Sequence, residues 1–266
     1  MSILESNFFI RPKQTGIMKK TFKRILTGLG FFVIVSALLF VGYFFKAKSI
    51  MKGMTTVETR EIVKNVFSIK DSFVNFFLVK NGEHFIAIDA GNDKGVIELE
   101  LKKLKIDPGK IDAVLLTHTD GDHVAGIGLF KNANIYISRQ EEQLLNGKKS
   151  RFFLFGNKID SKSYKLIEDQ QIMSLEGIKI QGFLVPGHTP GSMCYLINDT
   201  LLFTGDALRL NRGKVEKFYT FFNMDSETAI HSIGKIVHIQ GVQYIFTAHN
   251  GFTNNFTNAI KDWPLN

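Results

Sequence analysis

Cysteine is almost absent from this chain, since Cys194 is the only one among its 266 residues. No intramolecular disulfide can form, so the stability of the fold has to come from a buried core, which a chain of this length can supply. Cys194 lies in the apolar run 193–197. We therefore interpret it as a core residue of a strand and not as a nucleophile.

Acidic side chains are scarce in one part of the chain only. Residues 1–53 hold nine basic residues and one acid, whereas the remaining 213 residues hold 24 basic and 24 acidic residues. The net charge of +8 and the pI near 9.4 therefore come from the N-terminal segment alone. A remainder without net charge offers no general attraction to a polyanion, which argues against nucleic acid as a partner.

Ionisable groups are missing from residues 25–45, apart from the phenol of Tyr43. A helix of this length spans about 30 Å, the thickness of the hydrocarbon core of a bilayer. Six basic residues precede the run and three follow it closely, which predicts a cytoplasmic N-terminus. We predict a cytoplasmic segment (1–24), a single-pass anchor in the cell membrane (25–45), a linker (46–61) and an extracytoplasmic catalytic domain (62–266).

A cleaved signal peptide is the alternative interpretation of the same run. Its apolar region is usually 7–15 residues long and is followed by small residues at the cleavage site. Here the run is longer and ends in Tyr43-Phe44-Phe45-Lys46, which favours an uncleaved anchor. Met18 is an alternative start that would leave the rest of the chain unchanged.

Hydrophobic periodicity beyond residue 62 predicts alternating strands and helices. Strands are predicted over 65–69, 73–79, 84–89, 113–117, 134–138, 171–175, 178–185, 193–197, 201–204 and 244–247. Helices are predicted over 96–104, 139–145, 225–239 and 256–263, and Asn81-Gly82 predicts a hairpin turn. Each half contains sheet strands followed by helices. This order predicts an α/β fold, a four-layer αββα sandwich that the transmembrane helix precedes.

The segment His118-Thr119-Asp120-Gly121-Asp122-His123 follows directly on one of these strands. It places four side chains that can bind a metal within six positions. On a flexible loop they can converge on cations, whereas on a regular strand or helix they could not all face one point. Imidazole and carboxylate groups are common ligands of divalent metals, and a plain polar turn rarely carries four of them.

Three further strands each end near one residue of the same kind. His188 lies in the Pro/Gly-rich turn 186–191, Asp206 follows the strand 201–204, and His249 follows the strand 244–247. Strand ends are where sheets expose binding sites. The four segments together therefore predict a metal centre.

The order HTDGDH, GHTPGS, FTGDA and AHNG resembles the metallo-β-lactamase fold superfamily over residues 62–260, and its glyoxalase II-like branch most closely. The resemblance implies one divalent metal on His118, Asp120 and His188, a second on Asp122, His123 and His249, and Asp206 bridging both. It also implies that a hydroxide between the metals is the nucleophile, with Asp122 and Asp206 as catalytic residues. Asp89, in the family-like strand end Ile88-Asp89-Ala90-Gly91, would orient a ligand.

Asp120 departs from the family pattern, which usually has a histidine at this position. Either the site has lost its function, or aspartate is a tolerated ligand, as the resemblance to branches with a carboxylate there suggests. With two dications, three aspartates and a hydroxide, the cluster would be neutral. A neutral cluster acidifies its water less and favours harder ions. The expected cofactors are two divalent ions, zinc by family resemblance, with manganese or iron favoured by Asp120.

The predicted function is a membrane-anchored hydrolase that acts on an ester, thioester or lactone bond of a small-molecule substrate. The alternatives are a phosphodiesterase or nuclease-like hydrolase, and a non-catalytic metal-binding surface protein. Only 17 residues follow His249, so no C-terminal glutathione-binding domain is expected. Specificity is expected in the loops 147–163 and 207–224. The aromatic runs 152–155 and 218–222 would line a pocket, touch the membrane or simply pack, and the basic stretch 147–151 is interpreted as a solvated loop.

Overall fold

The computed structural model describes residues 13–151 and 156–264, with side chains from residue 19 onwards. The chain divides into two units, with the boundary after Met51. The described part of the first unit is the helix α1 (Lys13–Met51), whose stretch Lys19–Met51 is long and apolar enough to cross a membrane. The predicted linker 46–61 is partly regular, because the helix continues through Met51 and the first strand begins at Arg60.

The second unit begins with a seven-stranded sheet whose spatial order is the chain order. Its strands are β1 (Arg60–Val63), β2 (Val66–Asp71), β3 (Val74–Asn81), β4 (His84–Ile88), β5 (Ile111–Leu115), β6 (Asn134–Ser138) and β7 (Lys165–Ile167). The first four strands pair antiparallel, and β4 to β7 pair in parallel. The connections carry the helices α2 (Lys94–Lys103), α3 (Gly121–Val124) and α4 (Glu142–Leu145).

A six-stranded sheet follows, in the order β15-β14-β11-β10-β9-β8. Its strands are β8 (Ile172–Leu175), β9 (Ile178–Leu184), β10 (Met193–Ile197), β11 (Leu201–Phe203), β14 (Tyr244–Phe246) and β15 (Phe252–Thr253). A separate hairpin consists of β12 (Leu208–Asn211) and β13 (Lys214–Lys217), and the last two helices are α5 (Ser226–Ile236) and α6 (Phe256–Ile260).

Three apolar clusters hold these layers together. The middle cluster lies between the two sheets and includes Phe77, Tyr195 and Phe203, all at least 97% buried. A second cluster joins the first sheet to α2, and a third joins the second sheet to α5 and α6. The layers therefore follow one another as helix, sheet, sheet and helix, in agreement with the predicted sandwich.

Local signals explain where several elements begin. The Asp93 side chain accepts hydrogen bonds from the first turn of α2, and Asp225 caps α5 in the same way, at one of the two predicted cap positions. The turn at Asn81-Gly82 joins β3 to β4, with Gly82 at a φ of +60°. The predicted hairpin is thus confirmed.

Two local predictions were wrong. The helix predicted over 139–145 is regular only from Glu142, because Glu141 turns its side chain into the interior and bonds to distant loops. Residues 207–224 were predicted as a loop, yet they contain the hairpin β12–β13. Its turn residues Arg212 and Gly213 both have positive φ. An Arg-Gly pair is not a sequence signal that predicts this conformation.

Candidate metal centre

All seven predicted ligand residues lie together at the ends of strands from both sheets. His118 follows β5, and Asp120 is the residue directly before α3. Asp122 and His123 lie within α3, so the expected flexible loop is partly helical. His188 follows β9, Asp206 follows β11 and His249 follows β14. The four histidines and Asp206 are at least 95% buried, whereas the Asp120 and Asp122 side chains are 16% and 22% exposed.

The side chains form two donor groups. In the first donor group (His118, Asp120 and His188), Asp120 Oδ2 lies 3.6 Å from His118 Nε2 and 3.2 Å from His188 Nε2. In the second donor group (Asp122, His123 and His249), Asp122 Oδ2 lies 3.8 Å from His123 Nε2 and 3.5 Å from His249 Nε2. Within each group the donor atoms lie within 4.8 Å of one another.

Asp206 lies between the two groups and faces both. Its Oδ2 is 3.5 Å from His188 Nε2 in the first group. Its Oδ1 is 3.2 Å from His249 Nε2 and 3.6 Å from His123 Nε2 in the second. Gly205 allows this position, because its φ is +51° and a Cβ there would lie 2.3 Å from Thr117 Oγ1.

Several donor atoms point into the centre without a hydrogen-bond partner among the described residues. They are His118 Nε2, His123 Nε2 and Asp206 Oδ1, all buried. Leaving a buried polar atom unpaired is costly, so native proteins rarely keep three in one place without a purpose. A set of imidazole nitrogens and carboxylate oxygens that share one point suits a divalent cation. The residues therefore fit the metal site that the sequence predicted.

Hydrogen bonds on the far side of three histidine rings keep each Nε2 lone pair available. Asp89 Oδ2 lies 2.8 Å from His123 Nδ1, and the Phe73 carbonyl lies 2.7 Å from His249 Nδ1. The Thr117 hydroxyl donates to Asp89 and lies 3.1 Å from His118 Nδ1, so it accepts there. In the neutral form of each ring the proton is therefore on Nδ1, and Nε2 faces the centre, where it can bind a cation.

Electrostatics keep the carboxylates ionised. Burial alone would raise the pKa of Asp206, but His249 and His123 hold it well below its usual range. Burial likewise opposes ionisation of Asp120, yet His188, His118 and Arg151 together hold its pKa well below the usual value. Both side chains are therefore charged and ready to bind a cation.

The sequence interpretation of the stretch 147–151 as a solvated loop was wrong at Arg151. Its side chain is only 6% exposed, and its guanidinium group bonds to Asp120. Arg151 and Asp120 lie 31 residues apart along the chain, so the sequence gives no sign that they are in contact. The adjoining aromatic run 152–155 lies outside the described residues.

The second aromatic run, 218–222, lies beside the centre. The Phe218 ring centroid is 5.2 Å from that of His188 and 5.8 Å from that of His249, and Phe73 stacks on His249 at 5.7 Å. Aromatic side chains therefore border the donor groups on the side of His188 and His249. Phe218 is only 3% exposed, so this part of the run packs against the ligand rings, which is one of the three roles considered for it.

Comparisons with known proteins identify the family and support the fold. Residues 69–249 match the family described as the metallo-beta-lactamase superfamily. A solved B3 metallo-beta-lactamase, described as the first with an active-site glutamic acid, is similar to the chain with a TM-score of 0.63. The two are 16% identical, over 81% of this chain and 90% of that one. At this identity the likeness concerns the fold.

Curated relatives are hydrolases by their names. A probable metallo-hydrolase of Methanocaldococcus jannaschii is 28% identical, over 59% of this chain and 66% of the relative. A probable polyketide biosynthesis zinc-dependent hydrolase of Bacillus velezensis is 33% identical, over 46% and 49%. The hydroxyacylglutathione hydrolase of Aliivibrio fischeri is 25% identical, over 77% and 71%. The chain thus spans less than two thirds of the length of the first two relatives.

Proposed function

The chain belongs to the metallo-beta-lactamase superfamily, and we propose that it is a metal-dependent hydrolase of ester, thioester or lactone bonds, held at a membrane by its N-terminal helix. The observation that carries the proposal is the position of Asp206. One of its oxygens faces the first donor group and the other faces the second. A carboxylate shared in this way suits two neighbouring divalent ions.

A divalent ion bound here would lower the pKa of a bound water and polarise the oxygen of a substrate carbonyl. The chain's own residues position the reactants. Asp122 is the most exposed of the seven side chains, at 22%. We propose that Asp122 orients the attacking water, because its carboxylate can accept a hydrogen bond from that water. Asp206 and the buried histidines would hold the ions.

We propose zinc as the physiological ion, with manganese or iron as alternatives. The zinc assignment is supported by the name of the Bacillus velezensis relative. Asp120 adds a third carboxylate to the centre, and harder ions prefer oxygen ligands. Metal analysis of the protein purified without added metal tests this assignment.

An acyl compound is the substrate class that we favour. Phe73 is partly exposed where it stacks on His249, so an apolar acyl chain would find a contact there. The hydroxyacylglutathione hydrolase relative is named for an acyl substrate. Residues 54–266 carry 24 basic and 24 acidic side chains, which provides no general attraction to a nucleic acid.

The helix α1 supports the membrane assignment. Its apolar side chains are exposed, with Phe31 and Phe40 each 70% exposed. An apolar surface of this length is unfavourable in water and favourable in a bilayer. We propose that it remains as an anchor, with the N-terminus in the cytoplasm and the second unit outside.

Metal content and hydrolysis test the proposal on the full chain, solubilised in detergent from membranes washed with alkaline carbonate. The substrates are aryl esters, thioesters, a lactone and bis-aryl phosphodiesters, each with zinc, manganese or iron. We expect two ions per chain and turnover of an acyl substrate, and we expect Asp206→Ala to lose both. Asp262→Ala is the matched control, since that side chain is 69% exposed and pairs with Lys214.

Each contrary result is informative. A preference for the phosphodiesters would replace the acyl assignment with the phosphodiesterase alternative. An absence of turnover on every substrate, with metal still bound, would support a non-catalytic metal-binding protein. Release of the chain by the alkaline wash would contradict the anchor.

A further inference from the structure

The guanidinium group of Arg151 lies inside the first donor group. Its Nε donates to both oxygens of Asp120 at 2.9 Å, and its Nη2 donates to Asp120 Oδ2 at 2.7 Å. The Arg151 side chain is 6% exposed, so this is a buried and charge-assisted pair. An arginine fork of this kind is more strongly bound than an exposed ion pair.

The same group reaches the second ligand atom of the first donor group. Arg151 Nη2 lies 3.2 Å from His188 Nε2, and Nη1 donates to the His188 carbonyl at 3.2 Å. Nη2 also donates to the Phe222 carbonyl at 2.7 Å. The two protons of Nη2 are engaged by Asp120 and Phe222 at 2.7 Å. Its contact with His188 is therefore one of position, because Nη2 occupies the space in front of Nε2 that a metal ion would fill.

The second donor group has no such neighbour. Among the described residues, the ion pairs of Asp122 and Asp206 involve histidines only. Their oxygens are therefore free of lysine or arginine contacts. The two groups share Asp206 but differ in whether a positive side chain lies among the ligand atoms.

A cation and the guanidinium cannot occupy the first group together. They would use the same oxygens of Asp120 and the same space in front of His188 Nε2. Like charges at contact distance in a buried site also repel strongly. We propose that Arg151 is a built-in competitor of the metal in the first donor group, so that the second group fills first. An ion enters the first group only when the guanidinium leaves Asp120 and His188.

This inference rests on the proposed function, because it assumes that both groups bind ions, but it concerns the order of binding and not the reaction. It also gives Asp120 a reason to be an aspartate. A carboxylate can pair with the arginine fork, whereas a histidine cannot pair with it in this way. Asp120, which departs from the family pattern, and the buried Arg151 would then act together to control metal binding in the first donor group.

Equilibrium metal content of the full chain in detergent, measured against buffered free zinc, tests the proposal. We expect the wild type to bind its two ions in separate steps. Arg151→Gln removes the competitor, so its second step should move to about 10- to 100-fold lower free zinc, while its first step stays in place. The unchanged first step also reports that the variant is folded.

Lys148→Gln is the matched control, because it makes the same change of charge three residues away on an exposed side chain. Its two steps should coincide with those of the wild type. Arg151→Lys keeps the charge but not the fork, so its second step should lie between those of Arg151→Gln and the wild type.

A second step of Arg151→Gln that coincides with the wild type would overturn the competitor role, and so would an equal shift in Lys148→Gln. Either result with turnover intact leaves the proposed hydrolase standing. If neither protein binds zinc, the proposed function fails as well, so the two failures are distinguishable.

Discussion

The two donor groups share one carboxylate, yet they are supported in different ways. Beneath the second group, Asp89 bonds directly to a ligand ring, at 2.8 Å from His123 Nδ1. Beneath the first group, the buried carboxylate of Glu141 contacts none of the ligands. It accepts hydrogen bonds from Thr119 N and Oγ1, from Thr189 Oγ1 and from Gly191 N.

The difference separates a fixed site from an adjustable one. Direct bonds to rings fix the ligand atoms of the second group, as pre-organised metal sites require. In the first group, Glu141 bonds to the loops beside the ligands, and the His118 ring contacts only the neutral Thr117 hydroxyl, at 3.1 Å. The His188 ring itself depends on the Asn223 side chain at 3.2 Å. The second group should therefore be a tight site and the first a weaker one.

Removing one histidine from each group gives the largest expected effect. His123→Ala should move the first binding step to about 100-fold higher free zinc or more, because it deletes a ligand of the tight site. His188→Ala should leave that step in place and abolish only the later one. The measurement is the same equilibrium zinc content. An equal loss in both variants would show that the two groups bind as one unit.

Replacing the buried support of the second group gives a smaller effect. Asp89→Asn keeps the size of the side chain but removes the charge that faces His123, which should weaken the low-zinc step about 10- to 100-fold. Asp112→Asn is the matched control, since Asp112 also pairs with a histidine nitrogen, His84 Nδ1 at 2.7 Å, away from the centre. A step that responds equally to both variants would make the role of Asp89 merely structural.

The sequence predicted most of the fold because its signals are local. Ten strands were predicted, and each has a counterpart in the structure, with β6 and β10 at the predicted bounds. Alternation, turn residues and caps lie within a few positions of the element that they define. The short edge strands β1, β7 and β15 were missed, because each contains polar or charged residues, whereas the equally short β11 and β14 are continuous apolar runs.

That the seven proposed ligand residues lie close together could be predicted for a similar reason, since they follow strands and strand ends of one sheet gather at an edge. The contacts of Arg151 and Glu141 could not be predicted from the sequence. Asp120 lies 31 residues from Arg151, and the loop partners of Glu141 lie 22 to 50 residues away. Pairings of this kind depend on how loops pack across the top of the sheets, which no local pattern encodes.

The buried support of the first group gives the smallest expected effect, and one with a defined pH dependence. Glu141→Gln turns one acceptor oxygen into a donor towards Gly191 N, so it should lower the free energy of unfolding by about 1–3 kcal/mol. Burial raises the pKa of Glu141, although hydrogen bonds from Thr189 and Thr119 oppose this. A raised pKa in the folded state means that its stabilising contribution is complete below the ordinary pKa and is lost as the pH rises through the folded value.

Glutamine does not titrate, so the stability difference between the wild type and Glu141→Gln should be larger at about pH 4.5 than at about pH 8. Urea unfolding of the full chain in detergent measures that difference. Glu168→Gln, at a side chain that is 51% exposed, controls for the loss of a surface charge. A difference that grows with pH would mean that the bonds from Thr119, Thr189 and Gly191 outweigh burial. Glu141 would then be held by its hydrogen bonds as firmly as Asp89 is. The proposed difference in rigidity between the two donor groups would be contradicted.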